Sequence, residues 1–489
     1  MARLAPLILV ALTGLLVGAA PAPAKVPTVA GTTTRSLTTG FTDPVFLTNM
    51  QDQRVPRFRE ARAVGADVVR IDMSWWGVAD KQPEGDTTDP GNPGYDWSTT
   101  DAALRDANAR GLQVLFNLFR APPWAEGPDR PADAGAGTWR PDAAAYGLFA
   151  KAAARRYSGG YPDPLQPGRN LPRVRYWEAW NEPNLWVMLM PQWVRSGGQT
   201  VPASPGIYRS LLNALYDGVK SVSADNVVIG GSMSPYGDPP GGDRMPPARF
   251  ARELFCLNGN SKPVSCPAPP RLDVLDHHPY SVGGPNRAAL SADDVSTPDM
   301  YKLSAILRSA EKYKRVFPAG RKRLWVTEIS WESRPPDPSG VFALQHARWL
   351  AYSFYRLWVQ DVETVLWYQV RDEVDFPNFT NTFQSGIELS NGTPKPTAKA
   401  FKFPFVAERL SSRSVRIWGK TPDPGTVRVQ TLSGGRWRTL AMVRPGGNRV
   451  FVATLLLKSK VRVRAVSRDG VVSLDWPPKA NLISVDPKG

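Results

Sequence analysis

Short apolar runs alternate with longer amphipathic segments from about residue 40 to residue 405. The apolar runs do not alternate between polar and apolar residues, as a strand with one solvent-exposed face would. The absence of alternation is typical of strands that are buried on both faces. The segments between them carry apolar residues at helical spacing. The first unit predicts a strand at 40–46, a helix at 51–64 and a strand at 66–72.

This βαβ unit recurs until eight strands are predicted, and we therefore expect an α/β fold, a (β/α)8 TIM barrel over residues 40–405. An open doubly wound sheet is the alternative, and it is disfavoured because no glycine-rich phosphate loop follows the first strand. The predicted strands are 40–46, 66–72, 112–118, 174–180, 226–230, 272–278, 323–329 and 364–368. The predicted helices are 51–64, 101–110, 142–157, 205–223, 247–256, 298–316, 342–361 and 397–402.

The pattern changes near residue 406 to alternating polar and apolar positions separated by Gly-rich turns. Such alternation predicts antiparallel strands with one covered face. We predict a small β-sandwich over residues 406–489 that docks on the barrel, because about 80 residues are near the lower limit for an independent core. Its predicted strands are 415–418, 426–432, 437–443, 449–456 and 461–466.

The first 24 residues have the pattern of a secretory signal peptide: Arg3, an uncharged apolar run and a small-residue cleavage pattern, Ala-Pro-Ala. An uncleaved membrane anchor is the alternative. Residues 25–39 are predicted to be a flexible segment. Because an exported chain meets an oxidising environment, we predict that its two cysteines, Cys256 and Cys266, form one disulfide. We expect a secreted or extracytoplasmic protein.

The net charge of +16 is concentrated near the C-terminus, where residues 409–489 contain sixteen Lys or Arg and four Asp. Such a surface attracts anionic partners, and we expect at most a weak attraction to an anionic cell envelope. Positive charge is the one feature that suggests nucleic-acid binding. We do not predict such binding, because the sequence has no known nucleic-acid-recognition motif. With three histidines and no cysteine cluster, we predict neither a metal site nor a cofactor.

Two glutamates end predicted apolar strands, Glu182 in the fourth unit and Glu328 in the seventh. Pro183 keeps Glu182 out of a helix and favours an extended strand tip. Because parallel barrel strands end at one mouth, both carboxylates are expected there. Two facing carboxylates are what glycosidic cleavage requires, one as proton donor and the other as nucleophile or as base for water.

The run Trp180-Asn181-Glu182-Pro183 resembles the Asn-Glu-Pro signature of the retaining glycoside hydrolases of clan A, families 5 and 39 in particular. The resemblance covers the barrel and implies that Glu182 is the acid/base and Glu328 the nucleophile. It also implies roles around the substrate for Arg70, Asn181, His278, Tyr280 and Trp367. At the end of strand three these families often carry a histidine, whereas this chain has Asn117; its Pro-Pro-Trp-Ala run is more like family 39.

Tryptophans gather after the predicted strand tips, and Trp75, Trp124 and Trp331 follow their strands most closely. Because sugar rings stack on aromatic faces, we predict these three as sugar platforms. Other tryptophans are expected to pack the cores of loops. Arg70, beside Glu328, is expected to favour the charged form of that carboxylate.

The sequence therefore predicts a monomeric secreted glycosidase that cleaves an oligo- or polysaccharide with retention of configuration. A barrel that binds carbohydrate or the cell envelope without catalysis is the alternative. The sugar, the anomer and the choice between internal and terminal cleavage stay open.

Overall fold

A closed barrel of eight parallel strands forms the larger part of the molecule. This computed structural model describes residues 26–374, 379, 382–458, 460–480 and 482. The predicted signal peptide lies outside the described residues. The barrel strands are β1 (Thr38–Thr42), β2 (Val68–Ser74), β3 (Gln113–Phe119), β4 (Tyr176–Ala179), β5 (Val227–Met233), β6 (Val274–His277), β7 (Arg323–Val326) and β8 (Val362–Tyr368).

Each strand pairs in parallel with the next one along the chain, and β8 pairs with β1 to close the barrel. The predicted (β/α)8 fold is thus confirmed. Helices surround the strands at α1 (Gln51–Ala63), α2 (Ser98–Asn108), α3 (Ala143–Arg156), α4 (Ser204–Val222), α5 (Pro247–Leu254), α6 (Met300–Lys312), α7 (Ala343–Val359) and α8 (Pro396–Lys402). None of these helices is long and apolar enough to cross a bilayer.

The interior of the barrel is divided between an apolar end and a polar end. Toward the N-terminal ends of the strands, a separate apolar cluster fills the barrel, formed by Val68, Leu115, Val227, Ile229, Val274, Trp325 and Leu366. Further along the strands the interior positions are polar, and Arg70, Glu178 and Asp276 are completely buried there. The polar end lies below the mouth at which all eight strands terminate, the usual place for a barrel site.

The C-terminal residues form two packed sheets, as predicted. One sheet joins β9 (Phe405–Arg409), β10 (Ser414–Lys420) and β13 (Val450–Leu456). The other joins β11 (Val427–Ser433), β12 (Arg436–Arg444) and β14 (Val463–Val466) with a strand from the N-terminus, Thr28–Ala30. The prediction of a flexible segment at 25–39 is wrong for Thr28–Ala30, because these residues pair in parallel with Met442–Arg444.

The three-stranded sheet docks the sandwich on the barrel. Trp418 packs against Tyr355 and Trp358 of α7, with ring centroids 5.7 and 6.1 Å away. The ammonium group of Lys420 forms a 2.7 Å ion pair with Asp67, which lies just before β2. The Lys420–Asp67 ion pair lies at the end of the barrel opposite to the mouth.

A disulfide joins Cys256 and Cys266, with the Cα atoms 5.9 Å apart. It closes a short loop between α5 and β6 and confirms the predicted pairing.

Candidate active site

Glu182 lies in a tight turn after β4 rather than at an extended strand tip. The strand ends at Ala179, and Trp180 and Glu182 have φ angles of 64° and 39°. The backbone N–H of Glu182 donates to the carbonyl of Ser232 at the end of β5, at 3.0 Å. The turn therefore redirects the chain so that the Glu182 side chain, 16 % exposed, reaches the mouth.

Glu328 lies two residues beyond the end of β7 and is held from two sides. Arg70 Nη1 donates to its Oε1 at 2.8 Å, and the Tyr280 hydroxyl donates to its Oε2 at 3.0 Å. Burial raises the pKa of Glu328, while the positive charges of His278 and Arg70 oppose that shift without cancelling it. The expectation that Arg70 favours the charged form is thus met in direction, but burial outweighs it.

His278 lies between the two glutamates. Its Nδ1 is 3.1 Å from Glu182 Oε1 and 3.8 Å from Glu328 Oε2. These two oxygens are therefore separated by no more than the sum of the two distances, about 6.9 Å. Burial lowers the pKa of His278, but the Glu328 charge and the hydrogen bond to Glu182 outweigh it and raise the pKa to about 9.

Arg70 connects the nucleophile candidate to three other polar side chains. Its Nε donates to Glu178, its Nη1 lies 2.9 Å from Asp72 Oδ1, and its Nη2 donates to Asn181 Oδ1 at 2.7 Å. The planar guanidinium is suited to several simultaneous hydrogen bonds in fixed directions. Arg70 thereby fixes Asn181 and Glu328 relative to one another.

A pair of buried carboxyl groups, Glu178 and Asp276, lies beneath His278. Burial and the neighbouring Glu178 charge raise the pKa of Asp276 well above its ordinary value. Burial alone raises the pKa of Glu178, but Arg70 and hydrogen bonds from Asp276 and Ser232 lower it overall. The two shifts favour the charged form of Glu178 and the neutral form of Asp276. Thr327 contacts both carboxyl groups through its hydroxyl.

Glu178, Asp276 and His278 present possible metal ligands within 4.8 Å of one another. The positive charge at this cluster already comes from protein groups, because Arg70 donates to Glu178 and His278 is itself cationic. A cationic imidazole has no free lone pair for a metal. The donor set fits an ion-pair network.

The predicted sugar platform Trp75 is wrong, because its ring is 0 % exposed. It begins a short helix and stacks on Phe149, with ring centroids 5.8 Å apart. Trp124 meets the Trp75 ring edge-on at 5.5 Å and stays partly exposed. Its indole N–H donates to the carbonyl of Ala79 at 2.9 Å, which fixes the ring beside the mouth.

The predicted contact of Trp367 with substrate is also wrong, because this ring is 0 % exposed and faces α7. Its indole N–H donates to the carbonyl of Ser385, and its ring packs on His346 at 5.5 Å. Trp331 is 9 % exposed and packs on Trp349 and Trp367, so it offers little surface to a sugar.

Tyr368 takes the position that the sequence assigned to Trp367. Successive strand residues point to opposite faces, so a shift of one residue exchanges the inside and the outside of the barrel. The Tyr368 ring is partly exposed, and it meets Phe383 edge-on at 5.4 Å. Burial and the Glu328 charge raise the pKa of the Tyr368 phenol.

No protein-family model and no curated protein matches the sequence. Solved structures match the fold. A family 39 glycoside hydrolase from the gut symbiont Bacteroides cellulosilyticus WH2 is 19 % identical, and the match covers 86 % of this chain and 79 % of that chain at a TM-score of 0.52. A glucosidase from Croceicoccus marinus is 15 % identical over 86 % of this chain and 84 % of its own, at a TM-score of 0.49. The first likeness shows that the chain shares the fold of a family 39 glycoside hydrolase.

Proposed function

We propose that the protein is an exported glycoside hydrolase that cleaves O-glycosidic bonds of an oligo- or polysaccharide with retention of configuration. Glu182 is the proposed acid/base and Glu328 the proposed nucleophile. The barrel fold shared with a family 39 enzyme is compatible with this chemistry.

The separation of the two carboxylates carries the proposal. Retaining enzymes hold their carboxyl groups about 5 to 5.5 Å apart, whereas inverting enzymes leave about 6.5 to 9.5 Å for a water molecule. The upper limit set by His278, about 6.9 Å between Glu182 Oε1 and Glu328 Oε2, includes the retaining range and excludes most of the inverting range.

In the first step, Glu328 attacks the anomeric carbon as a carboxylate and forms a glycosyl ester. Glu182, protonated, transfers its proton to the glycosidic oxygen as the bond from that oxygen to the anomeric carbon breaks. The leaving group departs as an alcohol. The contacts from Arg70 and Tyr280 orient the Glu328 oxygens for this attack.

In the second step, water attacks the anomeric carbon and gives a proton to the Glu182 carboxylate. The ester bond breaks, Glu328 regains its negative charge and the sugar leaves with its original configuration. Both steps use the same two side chains, and the second restores the starting protonation of Glu182.

Asn181, Trp124 and Tyr368 are the proposed contacts to the sugar. Arg70 Nη2 donates to Asn181 Oδ1, and this hydrogen bond fixes the orientation of the Asn181 side-chain amide. Trp124 and Tyr368 are aromatic, partly exposed and adjacent to the mouth, as a stacking surface requires.

Export is supported by the signal-like N-terminal sequence and by the disulfide between Cys256 and Cys266. Expression of the whole chain in a secreting host tests it. We expect the mature protein in the medium to begin after Ala24, and retention of the intact chain in the cells contradicts export.

Hydrolysis of an array of aryl glycosides, followed by proton NMR of the first sugar released, tests the proposed reaction. We expect cleavage of at least one glycoside, and the first product has the anomeric configuration of the substrate. An inverted first product contradicts the nucleophile role of Glu328. Carbohydrate binding without hydrolysis of any glycoside supports the alternative of a non-catalytic barrel.

A further inference from the structure

The outer strands of the sandwich carry positive charge without negative charge. Between Pro424 and Arg468 the chain has ten Lys or Arg and no Asp or Glu. Four of these arginines, Arg428, Arg436, Arg438 and Arg444, are exposed and form no ion pair with any residue that the structure describes. Their charge is therefore available to a partner.

The four-stranded sheet presents part of this charge on one face. Along β11, Arg428 and Gln430 alternate with buried Val427 and Val429, so they point away from the sandwich core. Arg464 of β14 lies directly opposite Gln430. We call Arg428, Gln430, Trp437 and Arg464 the basic sheet face.

An ordered contact crosses three strands of the basic sheet face. Arg464 reaches over β11 and places its guanidinium carbon 4.1 Å from the centre of the Trp437 ring on β12. Its Nε donates to Gln430 Oε1 at 2.9 Å. Among the described residues nothing bonds to its two terminal nitrogens, so the guanidinium is fixed in place with donors free.

The basic sheet face points away from the barrel. The three-stranded sheet contacts the barrel through Trp418 and Lys420. Arg428 and Gln430 lie on the side of the four-stranded sheet opposite to its buried valines, which face the other sheet. Because Lys420 pairs with Asp67 at the end of the barrel opposite to the mouth, a ligand on this face leaves Glu182 and Glu328 accessible.

We propose that the basic sheet face binds an acidic polysaccharide, one whose sugars carry carboxylates. Guanidinium groups match carboxylates in geometry as well as charge, and an indole ring packs against the C–H face of a sugar. A single exposed ion pair contributes little, so binding requires a polymer that engages several arginines at once. The surface anchors the protein to a polymer, and this role does not depend on hydrolysis.

Affinity electrophoresis of the whole chain tests the proposal with two polymers of one backbone, polygalacturonate and its methyl ester. We expect polygalacturonate to retard the wild-type protein at low salt and the neutral ester to leave it unretarded. One molar salt abolishes the retardation, because the Debye length falls to about 3 Å. Equal retardation by both polymers, or by neither, overturns the proposal.

Matched variants locate the surface. Arg428→Ala/Arg464→Ala is expected to weaken binding about tenfold, and Trp437→Ala to weaken it severalfold. The control Arg59→Ala/Arg169→Ala removes the same charge from exposed positions on the barrel and changes binding less than twofold. An equal loss in the control shows general charge attraction and overturns the assignment.

Vesicles of phosphatidylglycerol provide the comparison with an anionic membrane. We expect the wild-type protein to stay unbound to them at the salt concentration at which polygalacturonate binds. Preferential binding to the vesicles would identify an anionic membrane as the partner and overturn the proposal of a polysaccharide. Thermal unfolding of each variant identifies any that fail to fold. The comparison of polygalacturonate with its methyl ester uses only the wild-type protein, so it tests the proposal even if a variant does not fold.

Discussion

His278 and Glu182 are in contact, with Nδ1 3.1 Å from Oε1, although 96 positions separate them in the chain. The imidazole is completely buried, with Glu328 Oε2 3.8 Å from its Nδ1 and Asp276 Oδ2 3.7 Å from its Nε2. A buried histidine among carboxylates is stabilised in its charged form. The active-site candidate thus contains a fixed positive charge between its two proposed catalytic groups.

The three histidines are expected to keep their charge states through the neutral pH range. The pKa of His278 is raised to about 9, whereas burial lowers the pKa of His277 and of His346 to about 3. NMR of ¹⁵N-histidine protein should therefore show no imidazole titration between pH 5 and 8. A titration near 6.5, the ordinary value, in the folded protein contradicts the assignment.

The same shift predicts how His278 affects stability. Its folded pKa exceeds the unfolded value, so its contribution is fully present below about pH 6.5 and disappears as the pH rises through 9. Denaturant unfolding of wild type and His278→Gln at several pH values measures it. We expect the difference in free energy of unfolding to shrink by about 3 kcal/mol between pH 6 and pH 10.

Replacement of Asp276 and of Glu178 by their amides is expected to have unequal effects on stability. Asp276→Asn preserves hydrogen bonding at a position that already holds a proton, so the free energy of unfolding should change by less than about 1 kcal/mol. Glu178→Gln removes the charge that pairs with Arg70 and should cost about 3 to 5 kcal/mol. Urea unfolding compares them, and equal losses contradict the placement of the proton on Asp276.

Arg70→Met is expected to move the acid limb of the pH profile of kcat/KM. The pKa of Glu328 is already raised by burial, so the wild-type limb should lie above the ordinary glutamate value of about 4.3. Loss of the Arg70 charge removes one opposing effect and shifts the limb further up. The control is Arg54→Met, another buried arginine, paired with Asp106, which should lower stability and leave the limb unchanged.

Glu182→Ala is expected to separate substrates by their leaving groups. General acid catalysis contributes about 10² to 10⁴ in rate when the leaving group is poor and little when it is good. Steady-state kinetics on aryl glycosides of graded acidity measure this, with Glu328→Ala as the control that loses activity on all of them. A uniform loss in Glu182→Ala contradicts the acid role.

The sequence was sufficient to predict the barrel, because apolar runs and strand ends are local features. Glu182 and Glu328 follow β4 and β7, and their catalytic roles stay predictions. The assignment of Trp75 failed because the chain turns into a short helix at this residue. The assignment of Trp367 failed because residues of both faces are buried along β8, so the apolar run does not show which of them point into the barrel. Tyr368 was missed for the same reason.

The network beneath the mouth was not predictable, because it depends on contacts between separate strands. Arg70, Glu178 and Asp276 come from β2, β4 and β6, and only the closed barrel brings them together. A charged residue within an apolar strand was the available signal. The pairing of Thr28–Ala30 with β12 likewise joins segments more than 400 residues apart and leaves no local pattern.

Covalent labelling of the nucleophile tests the central claim most directly. A 2-fluoro-glycoside with a good leaving group forms its glycosyl ester readily but hydrolyses it slowly, so the intermediate accumulates. We predict that mass spectrometry of the intact protein shows one added fluoro-sugar and that peptide mapping places it on Glu328. With a fluoro-glycoside matching a substrate that the enzyme hydrolyses, an unlabelled protein or a label on another residue would contradict the account.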